Sequence, residues 1–354
     1  MSGPTVAVIG SGAWGTTIAA MVGWREPVSL FCRSAGVADE INATHRHDRR
    51  LPGIDLPRHL VATADPTAIR GATDLVIVGV PSNHLREMAS RLGPDIPPSA
   101  DVLSLVKGLE PGTLFRMSEV IAEAAALDPR RVAALSGPNL APEVARRLPA
   151  SAVVAAADKE LARRVAARLG RRKFRLYVNT DILGVELCGA LKNIVAIAAG
   201  AVDQLGFGDN GKAGLMTRGL AEMIRVGIAA GANPLTFAGL AGIGDVIATC
   251  GSPLSRNHRL GEELAKGRTW TEIEATLPGV AEGAYTVDAA LELARRHGVE
   301  MPIAQEVHNA LFEGKSVRRC LVDLLSREQK DELADFERWV EGLVGGVGAS
   351  GPGP

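Results

Sequence analysis

Eight short runs rich in β-branched and other apolar residues fall within the first 180 positions of the chain, and none follows them. They are Thr5–Ile9, Val28–Phe31, Leu60–Thr63, Leu75–Val80, Val102–Val106, Val132–Ser136, Ala152–Ala155 and Phe174–Tyr177. Longer stretches with helical spacing separate most of them. A strand followed by a helix and another strand must cross over, so the alternation predicts βαβ units and a largely parallel, doubly wound α/β sheet. From Asp181 the texture changes. Ile182–Gln204, Lys212–Gly231, Leu235–Thr249, Arg256–Ala265, Tyr285–His297, Ile303–Glu313 and Ser316–Leu325 are Ala- and Leu-rich with helical spacing, and predict an all-α second half. The helix starting near Asp181 is the expected joint. The expected division is an α/β domain over 1–180, a helical domain over 181–343, and a Gly/Pro-rich tail over 344–354 that cannot bury a core and is expected to be disordered.

The bulk numbers exclude several classes. At 354 residues the chain is too long for one simple core. Lys and Arg (39) balance Asp and Glu (40), so no global field favours nucleic acid or a membrane surface. The basic cluster Arg163, Arg164, Arg168, Arg171, Arg172, Lys173 and Arg175 is interleaved with Leu and Ala at helical spacing and lacks an aromatic platform beyond Phe174, which favours a solvated helix face over a nucleic-acid site. Cysteines at 32, 188, 250 and 320 form no C-x-x-C, which predicts reduced thiols and a cytoplasmic protein. The run Val6–Ile9 leads directly into glycines and reads as a strand, not a signal peptide. No uncharged apolar run reaches the ~18 residues of a membrane span. Seven histidines lie scattered without ligand spacing, and no metal is expected.

Gly10-Ser11-Gly12-Ala13-Trp14-Gly15 is a G-x-G-x-x-G that follows the first strand run and opens a helical run, Thr16–Val22. Among 40 glycines the pattern alone says little. In this context it is the phosphate turn of a Rossmann-type dinucleotide-binding domain. Gly10, Gly12 and Gly15 allow the tight turn, the approach of a pyrophosphate and close helix–strand packing, while the helix N-terminus offers N–H donors. A glycine turn that binds nothing is the plainer alternative. NAD-specific sites place an acid after the second strand, for the ribose 2′-OH. Here Cys32, Arg33 and Ser34 stand there, with no acid before Asp39. A guanidinium accommodates a 2′-phosphate, so NADPH is expected to be accepted, with NADH the other candidate cofactor. The basic stretch His45–Arg50 could close over the adenosine phosphate or be a solvated loop.

Reduction of a ketone by a nicotinamide needs a proton donor and a means of holding the substrate still. In the apolar stretch around Lys192 the helical neighbours three and four positions away are Cys188, Gly189, Val195 and Ala196. None can pair with an ammonium, so either the stem reaches water or a partner comes from elsewhere in the fold. Asp245 is a candidate partner, and a partly desolvated Lys192 would be a better proton donor. Ser255-Arg256-Asn257 has the chemistry of an anion site, and Ser255 could equally be the N-cap of the next helix. Lys107 and the turn Ser136-Gly137-Pro138-Asn139 each sit just past a strand run, where ligands of doubly wound sheets collect or where an ordinary loop would lie.

These residues in this order resemble the NAD(P)-dependent glycerol-3-phosphate dehydrogenase family of bacterial type. The segments that carry the resemblance are GSGAWGTTIA at 10–19, VKGLE at 106–110, SGPNLAPE at 136–143, NTDILGVELCGALKNIVAIAAG at 179–200, KAGLMTRGLAEM at 212–223, GLAGIGDVIATCGSPLSRNHRLG at 239–261, GVAEG at 279–283 and GVEMPI at 298–303. The combination of LKN with GD…TC…SRN is specific. The resemblance implies an active site between the two domains and reversible reduction of dihydroxyacetone phosphate to sn-glycerol 3-phosphate, the phospholipid backbone. It implies that Lys192 transfers the proton, with Asp245 beside it. Lys107, Gly137, Asp245, Ser255, Arg256 and Asn257 fall where the family holds substrate, with Asn193 and Thr249 next to them. Trp14, Arg33, Lys107, Ala141, Arg256, Val280 and Glu282 match cofactor positions, and Arg50 falls near another. Association through the helical half into a homodimer is the expected assembly.

Two positions depart from the family pattern. Ala13 stands where many members have a serine, which removes a hydroxyl near the pyrophosphate. Asn139 replaces the usual Ser or Thr after Gly-Pro, so any substrate contact there has different geometry. A related dehydrogenase of a hydroxy acid or ketopantoate-like substrate, and a non-catalytic NADP sensor, are the rival readings.

Overall fold

The structure is a computed structural model that describes residues 4–277 and 279–328, and the tail expected over 344–354 lies outside the described residues. All eight strand runs form strands: β1 Val6–Ile9, β2 Val28–Phe31, β3 Leu60–Thr63, β4 Leu75–Val78, β5 Asp101–Ser104, β6 Val132–Ser136, β7 Ala150–Ala155 and β8 Phe174–Asn179. They make one sheet in the order β3-β2-β1-β4-β5-β6-β7-β8. From β3 through β6 every pairing is parallel, with Val6 opposite both Val28 and Leu75. β7 then runs antiparallel to β6, with Leu135 opposite Val154, and β8 is parallel to β7.

Helices cover both faces, which is why the inner strands read as continuous apolar runs, while the edge strands β3 and β8 alternate between more and less buried positions. Val6 and Val8 pack with Ile18 and Leu161 on one side. Ala7 and Ile9 pack with Leu85 and Val120 on the other. The strand order reverses between β1 and β4, so a crevice opens beyond their carboxyl ends, the ligand position of doubly wound sheets.

After β8 the described chain is helical. The 23-residue helix Ile182–Gln204 is the axis of this half, and its apolar residues join a core with Met223, Phe237, Leu260 and Val287. Its N-terminus is capped by Asp181, which accepts from the Gly184 amide at 2.9 Å, the Asn233 amide at 3.0 Å and the Thr236 hydroxyl at 2.6 Å. By length and mean hydropathy (1.7) it is apolar enough to cross a bilayer, yet 83% of that stretch is buried inside the protein, as for a core helix. Two glycines set its closest neighbour. A Cβ on Gly200 would lie 1.9 Å from the His258 carbonyl oxygen, and one on Gly261 would lie 1.8 Å from that of Ile197. The helix Arg256–Ala265 therefore lies backbone against backbone on the long helix, which brings Arg256 and Asn257 to the level of Lys192 and Asn193.

Helix expectations fail in two places. Leu235–Thr249 is not one helix: it breaks into Pro234–Phe237, a wide turn over Leu240–Gly244, and Asp245–Gly251. Gly239, Gly242 and Gly244 weaken a regular helix there. Gly242 also packs with no room for a side chain against the Phe237 carbonyl, 2.0 Å from where its Cβ would be. A further helix, Trp270–Thr276, carries a capping box between Thr269 and Glu272, a signal visible in the sequence.

Candidate active site

The glycine loop has the strained geometry its pattern requires. Gly10 has φ +111°, and a Cβ there would lie 2.6 Å from the Gly79 carbonyl oxygen; at Gly15 it would lie 2.1 Å from that of Gly10. At Gly12 the nearest atom is 3.9 Å away, so nothing in the protein requires the missing side chain there. The helix Ala13–Gly23 starts at Gly12 with no side chain capping it, which leaves its first N–H groups for a ligand. Trp14 packs edge-on to Phe174, centroids 6.3 Å apart. Ala141 begins a short helix, Ala141–Ala145, whose first carbonyl accepts from Thr17 at 3.3 Å. Arg33 is exposed just past β2, and no ion pair involves it among the described residues.

A residue that sequence reasoning passed over orders the basic stretch after it. His47 is buried, and its Nε2 lies 3.0 Å from the Ser11 carbonyl oxygen, so the ring donates to the glycine loop. Burial lowers its pKa, with the Ser11 carbonyl opposing, which favours the neutral ring. Arg50 from the same loop and Arg256 from the start of the helix Arg256–Ala265 both approach Gly279: a Cβ there would lie 2.9 Å from Arg256 Nη1 and 3.5 Å from Arg50 Nη1. Neither guanidinium has an ion pair among the described residues. Val280 follows, and Glu282, at the start of the helix Glu282–Arg296, accepts hydrogen bonds from Ser82 of the loop after β4.

Lys192 has found its partners from elsewhere in the fold. It is 6% exposed, and its Nζ lies 3.0 Å from Asp245 Oδ1 and 2.6 Å from the Thr249 hydroxyl. Thr249 in turn donates to Asp245 Oδ1 at 2.9 Å, a one-turn (i, i+4) contact along Asp245–Gly251. The second Asp245 oxygen is taken by Lys107 Nζ at 2.5 Å, which also donates to the Gly137 carbonyl at 3.3 Å. Asp245, the candidate partner of Lys192, is thus shared with a lysine of the nucleotide-domain loop after β5. Burial lowers the Lys192 pKa to about 8, aided by repulsion from Lys107 and opposed by Asp245. Burial raises the Asp245 pKa, but the two ammonium groups outweigh it and hold the carboxyl below its ordinary range.

Asn193 and Asn257 join each other: Asn257 Nδ2 donates to Asn193 Oδ1 at 2.9 Å, while Asn257 Oδ1 accepts from the Gly283 amide at 3.0 Å. Most of the Asn257 amide is thereby used inside the protein. Ser255 is an N-cap, its hydroxyl oxygen accepting from the His258 amide at 3.2 Å. Asn139, half-buried in the turn after β6, has both amide atoms buried with no partner among the described residues, and the nearby Ser136 hydroxyl is in the same state. Of the basic cluster, Arg163, Arg164 and Arg168 pair with Glu160, Asp101 and Glu26. All four cysteines are free and buried.

A doubly wound dinucleotide-binding sheet, facing a helical domain that buries a lysine against a carboxylate, defines an NAD(P)-dependent oxidoreductase. Models of the NAD-dependent glycerol-3-phosphate dehydrogenase N-terminus and C-terminus match residues 5–162 and 181–322. A glycerol-3-phosphate dehydrogenase [NAD(P)+] of Streptomyces coelicolor is 46% identical over 336 residues, covering 94% of this chain and 99% of its own. One from Thermobifida fusca is 46% identical, covering 92% and 98%. The crystal structure of glycerol-3-phosphate dehydrogenase from Coxiella burnetii superposes with a TM-score of 0.85 at 36% identity, covering 91% and 98%. The chain belongs to the glycerol-3-phosphate dehydrogenase family. A ketopantoate reductase from Ralstonia eutropha, at 19% identity and a TM-score of 0.58, shares the fold alone.

Proposed function

We propose that the chain catalyses the reversible NAD(P)H-dependent interconversion of dihydroxyacetone phosphate and sn-glycerol 3-phosphate, feeding glycerophospholipid synthesis in the cytoplasm. Residues 1–180 hold the cofactor and 181–343 the catalytic groups, with no nucleic acid or integral membrane partner. The observation that carries this reading is the buried cluster of two ammonium groups against one carboxylate, Lys107 and Lys192 around Asp245. Such a cluster lacks one negative charge, and an alkoxide forming at a ketone oxygen supplies it in the transition state. Apolar surface left exposed on the helical half at Phe207, Ile247 and Leu254 is suited to a homodimer.

Bound nicotinamide supplies the hydride. Lys192 gives the carbonyl oxygen its proton, and Asp245 and Thr249 keep its ammonium aimed. Arg256, Ser255 and the first N–H groups of the helix Arg256–Ala265 anchor the substrate phosphate, and Asn257 holds Asn193 in register. Gly10, Gly12, Trp14, Gly15, Ala141, Val280 and Glu282 surround the cofactor, with Arg33 and Arg50 toward its adenosine phosphate. The residues present fit that group, since no side chain caps the helix at Gly12 and the Arg33 and Arg50 guanidiniums pair with no carboxylate among the described residues.

Nicotinamide oxidation with dihydroxyacetone phosphate, compared with a ketopantoate-type substrate, tests the reading. Turnover with the keto acid alone would overturn it. Arg33→Glu should lower NADPH affinity by roughly 10- to 100-fold, the worth of about 1.5–3 kcal/mol for a charged hydrogen bond, while NADH changes little. An unchanged NADPH to NADH preference would remove Arg33 from the phosphate site. Asn139→Ala should raise KM for dihydroxyacetone phosphate by about tenfold, yet leave Tm equal or higher, because the free protein loses an unsatisfied buried amide. A lower Tm with unchanged KM would assign Asn139 to the fold instead.

A further inference from the structure

Ser82 lies outside every segment that carries the family resemblance, yet it stands where the two halves meet. It sits in the loop after β4 and is half-buried. Its hydroxyl donates to one Glu282 oxygen, and its amide lies 3.4 Å from the other. Its side chain also packs on the loop that carries Lys107: a Cβ on Gly108 would lie 3.0 Å from Ser82 Cβ and 3.6 Å from the Thr286 hydroxyl.

What Glu282 begins, the next residue passes on. The Gly283 amide donates to Asn257 Oδ1 at 3.0 Å, Asn257 Nδ2 donates to Asn193 Oδ1 at 2.9 Å, and Asn193 Nδ2 donates to the Gly189 carbonyl at 3.2 Å. Asn193 adjoins Lys192, and Asn257 adjoins Arg256. Two sets of hydrogen bonds, joined through the Glu282–Gly283 peptide link, thus lead from the nucleotide domain, through the first turn of the helix Glu282–Arg296, to the residues beside the buried lysine and the anion site.

A second tie between the halves makes the contrast clear. Glu186 on the long helix accepts from Arg116 Nη1 at 2.8 Å, the Ser118 amide at 2.9 Å and the Ser118 hydroxyl at 2.5 Å. That junction is held by three donors including a guanidinium, whereas the one at Ser82 depends on a single hydroxyl and a long amide contact.

We infer that Ser82 is a positioning residue for the reaction: by holding Glu282 it fixes the Gly283–Asn257–Asn193 run that aligns substrate beside Lys192. The inference rests on the reaction proposed above, and its test includes a readout that does not. In the full-length enzyme, Ser82→Ala should raise amide hydrogen exchange about tenfold over residues 280–286 and 255–258, leaving 116–120 unchanged. Ser82→Thr, which keeps the hydroxyl, should restore protection. In the same variants KM for dihydroxyacetone phosphate should rise roughly tenfold in Ser82→Ala and return to near wild type in Ser82→Thr, with kcat moving less. Unchanged exchange in Ser82→Ala overturns the inference. Faster exchange with unaltered KM makes the run structural only and overturns the positioning role. A wild-type enzyme inert toward dihydroxyacetone phosphate would refute the proposed reaction, while the exchange result would still judge the hydrogen-bonded run.

Discussion

Replacing Lys192 with alanine should abolish turnover while NADPH still binds. General acid catalysis is worth about 10²–10⁴-fold, and the helical neighbours of Lys192 at 188, 189, 195 and 196 offer no second acid. The glycine loop lies on a different domain, so cofactor affinity should change little. Fluorescence titration of NADPH beside steady-state kcat separates the two. A variant keeping a tenth or more of wild-type kcat would sink the assignment. The pH profile carries the same signature. Burial has brought the Lys192 pKa down to about 8, so the acid form needed for reduction dominates below that value. The reductive kcat should be level at lower pH and fall about tenfold per unit above it, while oxidation, which needs the base form, should rise through the same window.

Asp245→Asn should harm both fold and rate. The amide keeps the shape of the carboxylate but leaves the ammonium groups of Lys107 and Lys192 without a counter-charge in a site where Asp245 is 1% exposed. Removing one partner of a buried ion pair costs about 3–5 kcal/mol. Urea unfolding at neutral pH should show a loss of that order. Its pH dependence follows from the signs. In the wild type the Asp245 pKa is depressed, so its contribution is present above the unfolded carboxylate pKa of about 3.9 and is lost as pH falls through the lower folded value. In the variant, the Lys192 pKa loses the attraction that opposed burial and drops further. Between that lower value and about 8 the folded variant binds fewer protons than the folded wild type, so the deficit shrinks as pH rises to about 8, above which both proteins gain stability alike. Reductive kcat should fall roughly 10- to 100-fold at neutral pH as Lys192 loses its proton too early. A variant as stable as wild type at neutral pH would show that Asp245 does not neutralise the lysines.

The inner strands were legible because burial on both faces leaves a continuous apolar run, and the edge strands β3 and β8 because their buried positions alternate with exposed ones such as Val61 and Tyr177. Ile182–Gln204 and Arg256–Ala265 were legible to the residue, bounded by Asp181 and Ser255 as N-caps. Leu235–Thr249 was misread because apolar spacing continues across Gly239, Gly242 and Gly244, and only the approach of Gly242 to the Phe237 carbonyl shows where the chain turns. The short helix after Thr269 had its capping box in plain view and was passed over because its apolar face is brief.

The candidate site divides along the same line. Sequence alone determined that Lys192 stands on an apolar helix without a local partner, that the glycine loop opens a parallel sheet, and that an Arg–Asn pair follows a capping serine, because these depend on neighbours within a turn or two. Only the tertiary structure decided that Asp245 serves two lysines from two domains, that Asn257 spends its amide on Asn193 and Gly283, and that His47 and Ser82 tie distant loops to the crevice. Those contacts span from 26 to 200 positions of chain, and no periodicity within an element encodes them. They are set by the backbone-to-backbone packing at Gly200 and Gly261 and by the closure of one half of the molecule on the other.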